Sequence, residues 1–456
     1  MEPRFEHRKK QLLADCQVSP TLFRGVMGRL EAFAQPFLAA MPSPESQHHG
    51  HTYLAGLLSD LEHKNAESIA YRHDLDRQTI QRFVGELPWD HNPLLDELNR
   101  QVARDLGQPD AVLVFDPSAF PKKGTASVGV KRQWCGRLGK LDNCQVGIFL
   151  GYVADSEHAL VDFRLYVPQE WAHDKKRRTK CGVPKDIRYQ TRHELALQML
   201  DRRGPLLPHG WVAGDDEMGR PAWFRQRLAG DGERYLLAVP SNTSIRDLEA
   251  QPPPYGGHGR HPKVPFGGVR AWCQALPASA WTKRTVRDAE KGPLEVEIVA
   301  CRVESKVDRK VVGFEETLVV VRYQDGGVQK HDYYLSNAGR DTPLSELARV
   351  VQAAHRIEEC IKRSKSEAGL DEYQVRNWLG WHHHMALSLL ATWFLVVEAR
   401  RGKKDDAGCD GAAGASRAGV DPAPGQRLRH PAPRGARADA STGAQRVGAV
   451  LPLQVA

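Results

Sequence analysis

An aspartate that directly follows an apolar run is the first residue whose placement could support chemistry. The run is Ala111-Val112-Leu113-Val114-Phe115, and Asp116 comes next. A continuous apolar, β-branched run is typical of a buried strand. An acid at the end of such a strand is held rigidly at the edge of a core, which suits a metal ligand. Acids also end many strands that carry no site, so Asp116 alone leaves both interpretations open.

A second short apolar run, Trp211-Val212-Ala213-Gly214, also ends in acids. Asp215, Asp216 and Glu217 follow it without interruption. Three consecutive carboxylates repel one another unless a cation lies nearby or water solvates them. The pattern predicts either further metal ligands or an exposed acidic turn that caps the next helix, and the exposed turn is the commoner meaning of an isolated acidic triplet.

A third candidate acid lies on a segment with helical spacing, at 344–368. Glu358, Ile361 and Lys365 are separated by three and then four residues, which places them on one face of a helix. Lys365 could therefore contact a phosphate bound beside Glu358. The alternative is an ordinary helix decorated with glutamate and lysine.

The elements that would position these acids follow a mixed α/β pattern. Residues 106–404 contain apolar runs typical of strands, two amphipathic helices near the middle and two long helices at the end. The first strands are predicted at 111–115, 145–153, 160–167, 211–214 and 235–239, with helices at 192–202 and 221–228. Proline- and glycine-rich loops and further strands at 296–303, 316–323 and 331–335 give the region of about 240–340 a β-rich texture, and long helices are predicted at 344–368 and 378–397.

Residues 1–105 are predicted to be helical, and part of this region has the look of a helix-turn-helix. One short helix would bury Ile69 and Ala70, and a turn would follow at 73–76. A second helix would start from Asp76 as its N-cap and bury an apolar face made of Ile80, Phe83 and Val84. Its polar face could then enter a DNA groove through Arg77, Gln78, Gln81 and Arg82. An ordinary helical hairpin explains the same pattern.

Composition favours a large protein that is not exported. The 456 residues are 41% hydrophobic with a formal net charge of +8, which suits a polyanionic partner as well as a solvated basic surface. The eight cysteines form no Cys-x-x-Cys pair, so we expect reduced thiols. The charged N-terminus lacks a signal core, and the longest apolar stretch, 385–397, is too short to span a bilayer. We expect a cytoplasmic protein without membrane contact.

The last segment, 405–456, differs from the rest of the chain. It is dominated by Ala, Gly, Arg and Pro, and it has almost no large apolar residue before Val447. Such a segment cannot offset its ordering entropy, so we expect a disordered tail. A sharper hypothesis is a frameshifted read-through, because GC-rich codons for 405–412 can encode a more protein-like string in a neighbouring frame.

The three acidic motifs together resemble bacterial insertion-sequence transposases of the DDE type. The family's first Asp matches Asp116, and its second, followed by two residues, an aromatic or Met and then Gly, matches Asp215 better than Asp216. Its helix-borne Glu and Lys match Glu358 and Lys365, whereas Val351 and Ala354 occupy its Tyr and Arg positions. That departure weakens the auxiliary phosphate contacts, for which Arg356 could compensate in part. The resemblance runs from about 20 to 404 and is most specific at 115–124, 127–147, 214–220, 235–240, 356–365 and 369–384.

This resemblance implies a fold and a domain organisation. The fold is an α/β class ribonuclease-H-like mixed-sheet core with a β-rich insertion, preceded by an all-helical N-terminal domain. The helical DNA-binding domain would occupy 1–105 and the catalytic domain 106–404, with the insertion at about 240–340. An insertion at this point explains the long gap between Asp215 and Glu358.

The resemblance also implies metal-dependent cutting and joining of DNA. Asp116, Asp215 and Glu358 would hold two Mg²⁺ ions, with Mn²⁺ as a substitute, about 3.5–4 Å apart. Water would cut the element ends, and the freed 3′-hydroxyl would attack target DNA. The partners would be double-stranded DNA, both terminal inverted repeats and target, bound by a dimer on paired ends at the bacterial nucleoid. Backbone contacts would come from Lys365, Arg356, Lys122 and Lys123. Separately from the resemblance, the basic run at 174–180 could form a patch for the DNA backbone, and a solvated loop explains it equally well.

Two other functions for the chain, and one other interpretation of a single motif, have to be considered. The chain could be a transposase-derived DNA-binding protein with impaired or lost nuclease activity, which Val351 and Ala354 would allow. A glycosidase with paired carboxylates is a second alternative, which the net positive charge of the chain disfavours. Finally, His382-His383-His384 could suggest zinc, but adjacent residues on a helix point in different directions, so we do not expect them to coordinate one ion together.

Overall fold

The computed structural model describes residues 24–289, 292–306, 312–325 and 327–414. Within these ranges a helical region precedes one large mixed sheet, and two long helices follow the sheet. No helix in the described ranges combines the length and the apolar character needed to cross a membrane.

Five helices form the N-terminal region from residue 24 onward, where the described residues begin. The pair predicted as a helix-turn-helix is confirmed as two helices, the second of which begins after Asp76, whose side chain accepts a hydrogen bond from the N–H of Gln78 at 2.6 Å. The apolar residues expected to face inward are buried. The helices are α1 (Val26–Leu38), α2 (Pro44–Leu57), α3 (Ala66–Arg72), α4 (Arg77–Gly85) and α5 (Asn92–Leu106).

The first part of the sheet has the strand order β4–β3–β1–β5–β6. β3 is antiparallel to both β1 and β4, whereas β5 and β6 run parallel to β1. This order and these directions are those of a ribonuclease-H-like fold, so the predicted fold class is confirmed. The strands are β1 (Val112–Pro121), β3 (Lys140–Ala154), β4 (Glu157–Leu165), β5 (Trp211–Gly214) and β6 (Tyr235–Ala238).

A short strand and several helices complete this part of the chain. Strand β2 (Lys131–Cys135) forms a hairpin with the beginning of β3. Helix α8 begins at a capping box in which Thr191 and Glu194 bond each other's backbone N–H, as its sequence favours. The helices are α6 (Gln169–His173), α7 (Lys175–Lys180), α8 (Arg192–Arg203), α9 (Asp216–Gly219) and α10 (Ala222–Gly230).

The β-rich segment extends the same sheet, which the sequence did not predict. β12 pairs antiparallel with β6, and the order continues as β11–β10–β7–β8, while β9 pairs with another part of β10. The pairing of β12 with β6 covers only three residues on each strand. The elements are β7 (Ser244–Asp247), β8 (Gly267–Gly268), α11 (Val269–Gln274), β9 (Thr282–Ala289), β10 (Gly292–Lys306), β11 (Val312–Asp325) and β12 (Val328–Ser336).

Two long helices connect the regions. α12 (Leu344–Glu367) packs on β1, β3, β4 and β5, and α13 (Trp378–Gly414) packs on β4, α2, α4 and α5. Their apolar residues belong to one core that includes both the N-terminal helices and the sheet. Each fully buried leucine in α13, such as Leu387, stabilises this arrangement by about 1.5–3 kcal/mol.

The last helix extends further than the sequence suggested. Residues 405–414, which we expected to be part of a disordered tail, continue α13. Once packing has nucleated a helix, each added residue contributes a hydrogen bond at little further cost, so a helix can run past its packed part. The remainder of the predicted tail, 415–456, lies outside the described residues.

Candidate active site

Asp116 and Asp215 lie side by side at one edge of the sheet. β1 and β5 are parallel, with Phe115 opposite Gly214, and each aspartate is the next residue along its strand. β5 ends before Asp215, whereas β1 continues past Asp116 to Pro121 as the partner of β3, so Asp116 does not end its strand as expected. The parallel register nevertheless brings the two acids together where the β1–β5 pairing ends. Four consecutive buried residues, 112–115, fix β1 in the core up to the point where Asp116 becomes half-buried.

The three acids after β5 have different environments, which separates Asp215 from its neighbours. The Asp215 side chain accepts a hydrogen bond from the N–H of Met218 at 3.0 Å and thereby caps α9. Asp216 is exposed and pairs with Arg220 at 3.2 Å. Glu217 turns to Arg192, whose Nη1 lies 2.6 Å from Oε2. Asp215 is therefore the acid of this triplet that faces β1, while it also caps a helix as the alternative prediction required.

The glycine of this motif has a clear steric role. A Cβ at Gly219 would overlap the carbonyl oxygen of Ala238 and approach its carbonyl carbon to 2.9 Å. The turn after Asp215 thus lies directly against the end of β6, and only glycine allows that approach.

Glu358 reaches the same region from α12. The preceding residue, Ile357, is fully buried against β3, where it fills the space beside Gly151. Glu358 itself is exposed, and its charge is close enough to act on Asp116. The helix-borne acid therefore acts electrostatically on Asp116.

The electrostatics of the two aspartates favour a cation. Burial, reinforced by the Asp215 and Glu358 carboxylates, raises the pKa of Asp116 to about 8, and Lys365 opposes this effect. Burial also raises the pKa of Asp215 to about 7, against the hydrogen bond from Met218. Both shifts mean that the ionised forms lack a compensating positive charge, which a divalent cation would supply.

The donor set fits a hard divalent cation, because it consists of carboxylate oxygens. Within the described ranges, however, no three acidic, histidine or cysteine side chains are already gathered closely enough to coordinate an ion. Asp116 and Asp215 are fixed by the sheet. The exposed Glu358 is the side chain that has freedom to turn.

Lys365 lies beside Asp116, as its spacing from Glu358 suggested. Its Nζ donates to Ser118 Oγ at 2.8 Å and lies 5.0 Å from the centre of the Phe120 ring. Ser118 is two residues beyond Asp116 on β1, so it holds the ammonium next to the acids. Burial lowers the pKa of Lys365. Ser118 was not singled out for this role, because its partner is distant in sequence.

Arg356 is oriented away from the acids. Its Nη1 donates to the carbonyl of Ser156 at 2.9 Å, in the turn between β3 and β4. In the sheet register this turn lies beyond the amino-terminal end of β1, whereas Asp116 lies toward the carboxyl end of the β1–β5 pairing. Val351, at the family's Tyr position, is buried. The structure therefore does not bring Arg356 to the acids as a replacement contact.

The two lysines after β1 differ in exposure. Lys122 is half-buried with Nζ 3.5 Å from the centre of the Tyr373 ring, and burial lowers its pKa to about 8. Lys123 is exposed. Lys123 is thus the more accessible of the two for a phosphate.

The polar face of α4 is open to solvent. Arg77, Gln78, Gln81 and Arg82 are all exposed, while the opposite face is buried. Arg77 lies 3.3 Å from Glu67, and Arg82 lies 3.9 Å from Glu86, so both arginines have only exposed, weak ion pairs. This geometry is compatible with an approach to a groove.

The histidine triplet is buried in the core, which we did not predict from the sequence. His383 stacks on Trp89 with ring centres 3.5 Å apart, and His384 Nδ1 lies 2.9 Å from the hydroxyl of Tyr53. His382 Nδ1 contacts the carbonyl of Trp378 at 2.8 Å. The three rings therefore have separate partners. The basic run at 174–180 forms α7, which has no buried residue.

Comparison with known proteins adds two findings. A family model described as "DDE superfamily endonuclease" matches residues 36–293, a range that includes Asp116 and Asp215 and ends before Glu358. A protein of Microchaete diplosiphon named "Probable transposase for insertion sequence element IS701" is 29% identical over 202 residues, which cover 43% of this chain and 50% of the relative. The chain thus spans about half the length of this curated relative.

Proposed function

Because the chain belongs to the DDE superfamily endonucleases, we propose that it is the transposase of a bacterial insertion sequence. It would cut DNA at the ends of its element and join those ends to target DNA. The name of the Microchaete diplosiphon relative supports this choice within the family.

The parallel register of β1 and β5 is the observation that carries the proposal. In that register Phe115 is opposite Gly214, so Asp116 and Asp215 are the next residues beyond the β1–β5 pairing, and burial, with a smaller effect of like charge, raises the pKa of both acids. A cluster of under-neutralised carboxylates at the edge of a ribonuclease-H-like sheet is suited to a metal-dependent nuclease.

The family implies dependence on divalent metal. We assign Mg²⁺ to the site, with Mn²⁺ as a substitute. Asp116, Asp215 and Glu358 would together hold two such ions. When bound, such ions lower the pKa of water and stabilise charge on the attacking and leaving oxygens. Asp116 and Asp215 would provide fixed ligands, and Glu358 would complete the site by turning toward them.

Other residues would position the DNA. Lys365, held by Ser118, would neutralise a phosphate beside the acids. Lys123 would extend this contact, and Lys122 would contribute less because its ammonium already packs on Tyr373. The exposed face of α4 would read the terminal repeats, with a dimer holding the two ends.

An assay of cleavage and joining tests the proposal. The substrate is DNA that carries the inverted repeats found beside the gene, incubated with Mg²⁺ and a target plasmid. We expect the wild-type protein to nick and join these ends, and Asp116→Asn and Asp215→Asn to lose both activities. Asp216→Asn is the matched control and should retain activity within about threefold, because Asp216 is exposed and pairs only with a surface arginine.

The same assay distinguishes a second function. Val351 and Ala354 on α12 favour a DNA-binding protein of transposase descent whose nuclease is lost. Binding of the repeats without any metal-dependent cleavage by the wild-type chain would support that function and overturn the nuclease. Cleavage that Asp116→Asn does not reduce would overturn the assignment of the site.

A further inference from the structure

The hairpin formed by β2 and the start of β3 lies next to the acids and has no role in the site described so far. β3 pairs with β1 from Cys144 to Val153, with Phe149 opposite Asp116, and the hairpin begins where that pairing ends, at Cys144 and Pro121. On the other side, Gln133 accepts a hydrogen bond at 3.0 Å from Arg192, which in turn binds Glu217. The hairpin is therefore linked to the β1 side and to the turn after Asp215.

One face of this hairpin is exposed and partly apolar. In β2 the exposed residues Arg132 and Trp134 alternate with Lys131, Gln133 and Cys135, which point toward the protein. Trp134 is paired across the hairpin with Leu141, and these side chains are 59% and 58% exposed. Among the residues that the structure describes, no ring or cation packs on Trp134. A large apolar pair left in water beside a catalytic centre indicates a binding surface.

The hairpin also carries basic side chains. Residues 131–144, which form it, include four basic side chains and one acid, Asp142. Lys131 pairs with Glu170 at 2.8 Å and Lys140 with Asp142 at 3.2 Å, while Arg132 lies on the same exposed face as Trp134. Aromatic and basic side chains on one surface are typical of proteins that hold single-stranded nucleic acid.

Contacts at both ends keep the hairpin in place. Gln133 donates to the carbonyl of Cys144 at 3.0 Å as well as accepting from Arg192. At the tip, Arg137 forms an ion pair with Asp371, which follows α12. The Trp134–Leu141 face is therefore presented on a fixed support, which reduces the entropy lost on binding.

We propose that this face binds an unpaired base of the DNA beside the scissile phosphate, with Trp134 stacked on the base and Leu141 packed against its edge. Arg132 and Lys140 contact the adjoining phosphates. The inference rests on the proposed function, because cutting beside the acids creates a DNA end whose terminal bases can leave the stack. A second copy of the chain is a poorer occupant, since a symmetric contact would bring two basic hairpins together.

A fluorescence experiment tests this inference with the full chain. The probe is a DNA duplex with a short single-stranded 3′ extension that contains 2-aminopurine, and Ca²⁺ replaces Mg²⁺ so that the DNA stays intact. We expect wild type to quench the 2-aminopurine by stacking. Trp134→Ala should lose the quenching and bind this probe about tenfold more weakly, whereas Trp134→Phe should keep most of both. Because Trp134 is exposed, neither substitution should disturb folding.

Two controls isolate the stacking. A blunt, fully paired duplex should bind Trp134→Ala within about threefold of wild type, since phosphate contacts remain. Tyr255→Ala changes an aromatic side chain that is 45% exposed on the β-rich segment, and it should leave the quenching unchanged.

The outcomes separate this inference from the proposed function. Quenching by Trp134→Ala equal to that of wild type, or an equal loss of affinity for both probes, would overturn the inference and leave the transposase proposal intact. A change in oligomeric state of the DNA-free protein with unchanged quenching would also overturn it. Failure of wild type to bind either probe would instead contradict the proposed function.

Discussion

The two halves of the sheet are built differently. The half of the sheet to which we assign catalysis, β4–β3–β1–β5–β6, is called the catalytic half, and it belongs to a large core shared with the N-terminal helices and the two long helices. The inserted half, β12–β11–β10–β7–β8 with β9, has a smaller core of its own around Val303, Leu318 and Leu335. The first half fixes the acids through depth of packing, whereas the second depends more on its connection to the first.

That connection includes a buried ion pair as well as the β6–β12 ladder. Arg225 on α10 donates to Glu316 of β11 at 2.8 Å and to Ser305 of β10 at 3.2 Å. Arg225 also donates to the carbonyl of Gly219, at the end of the turn that begins with Asp215. Tyr235 donates to Glu316 at 2.7 Å. The inserted half therefore supports the catalytic turn through hydrogen bonds, although it contributes none of the three acids.

The largest effect should come from a change at Glu358, which is the exposed acid of the three. We expect Glu358→Gln to lower DNA cleavage by about a thousandfold or more, because about 4 kcal/mol of charge stabilisation in the transition state is lost. Stability should not change, since Glu358 is exposed. Rates of cleavage and denaturation curves measure both. Glu359→Gln is the control on the same helix, and an equal loss of activity there would show that Glu358 has no special role.

The next effect should come from the junction between the halves. Arg225→Met leaves the Glu316 carboxylate buried without its cation and should lower the free energy of unfolding by about 3–5 kcal/mol. Adding Glu316→Leu should recover at least about 1 kcal/mol, because no buried charge remains. Denaturant titration measures these changes. Arg227→Met, on the same helix but in an exposed pair with Asp231, should change stability by less than about 1 kcal/mol.

If Arg225→Met were as mild as Arg227→Met, the junction would contribute little, and the ladder between β6 and β12 would be the main connection. A double variant no more stable than Arg225→Met would show that the remaining polar partners, rather than the charge, cause the loss.

A smaller effect is expected where α12 packs on the catalytic half. A methyl group at Gly151 would lie 2.6 Å from Cγ1 of Ile357, so Gly151→Ala should force α12 outward and cost about 1–3 kcal/mol. Cleavage should fall as well, because Glu358 is the next residue on that helix. Gly230→Ala, where no atom lies within 4 Å, is the control in the same assays. Equal stability of the two variants would contradict tight packing at this contact.

The smallest effect should be a difference in acid sensitivity between the halves. Burial lowers the pKa of His384 to about 3 and that of His383 to about 4, below the unfolded value of about 6.5. Their neutral forms therefore stabilise the fold above pH 6.5, and this stability is lost as the pH falls toward 4. Each group contributes at most about 1.4 kcal/mol per pH unit.

Hydrogen exchange at pH 6.5 and 5.5, corrected for intrinsic rates, can locate the loss. We expect protection to decrease in α13 more than in β10 and β11. An equal decrease in both places would mean that acid acts on the whole molecule rather than on the histidine-containing core.

Local patterns predicted much of the fold. The apolar runs at 111–115 and 211–214 lie in the adjacent strands that precede Asp116 and Asp215. They could be predicted because a buried strand is recognisable from the apolar side chains of its own residues. The Asp76 cap and the apolar face of α4 were likewise visible in a short segment. The separate partners of the three histidines followed from helix geometry alone.

Long-range pairing was beyond the reach of such patterns. The inserted strands join the sheet through the pairing of β12 with β6, in which Tyr334 is opposite Ala238. Neither segment has a sequence pattern that predicts this pairing. The same holds for Lys365 and Ser118, and for Arg192 and Glu217. Arg356 looked available because it is basic and close to Glu358, yet the helix phase turns it to the β3–β4 turn. Residues 405–414 were misjudged because composition does not show where a packed helix stops.

The extension of the sheet by β12 also bears on aggregation. Without the insertion, β6 would be an open edge with unpaired backbone groups, which can recruit strands from other molecules. With the insertion, the strand order ends at β8, which has only two residues and so offers few free backbone groups to another strand. β9 pairs only with β10 in the described part of the chain, and it carries Lys283 and Arg284, charges that discourage a further strand. At this end, the sheet therefore offers neighbouring molecules little edge on which to grow.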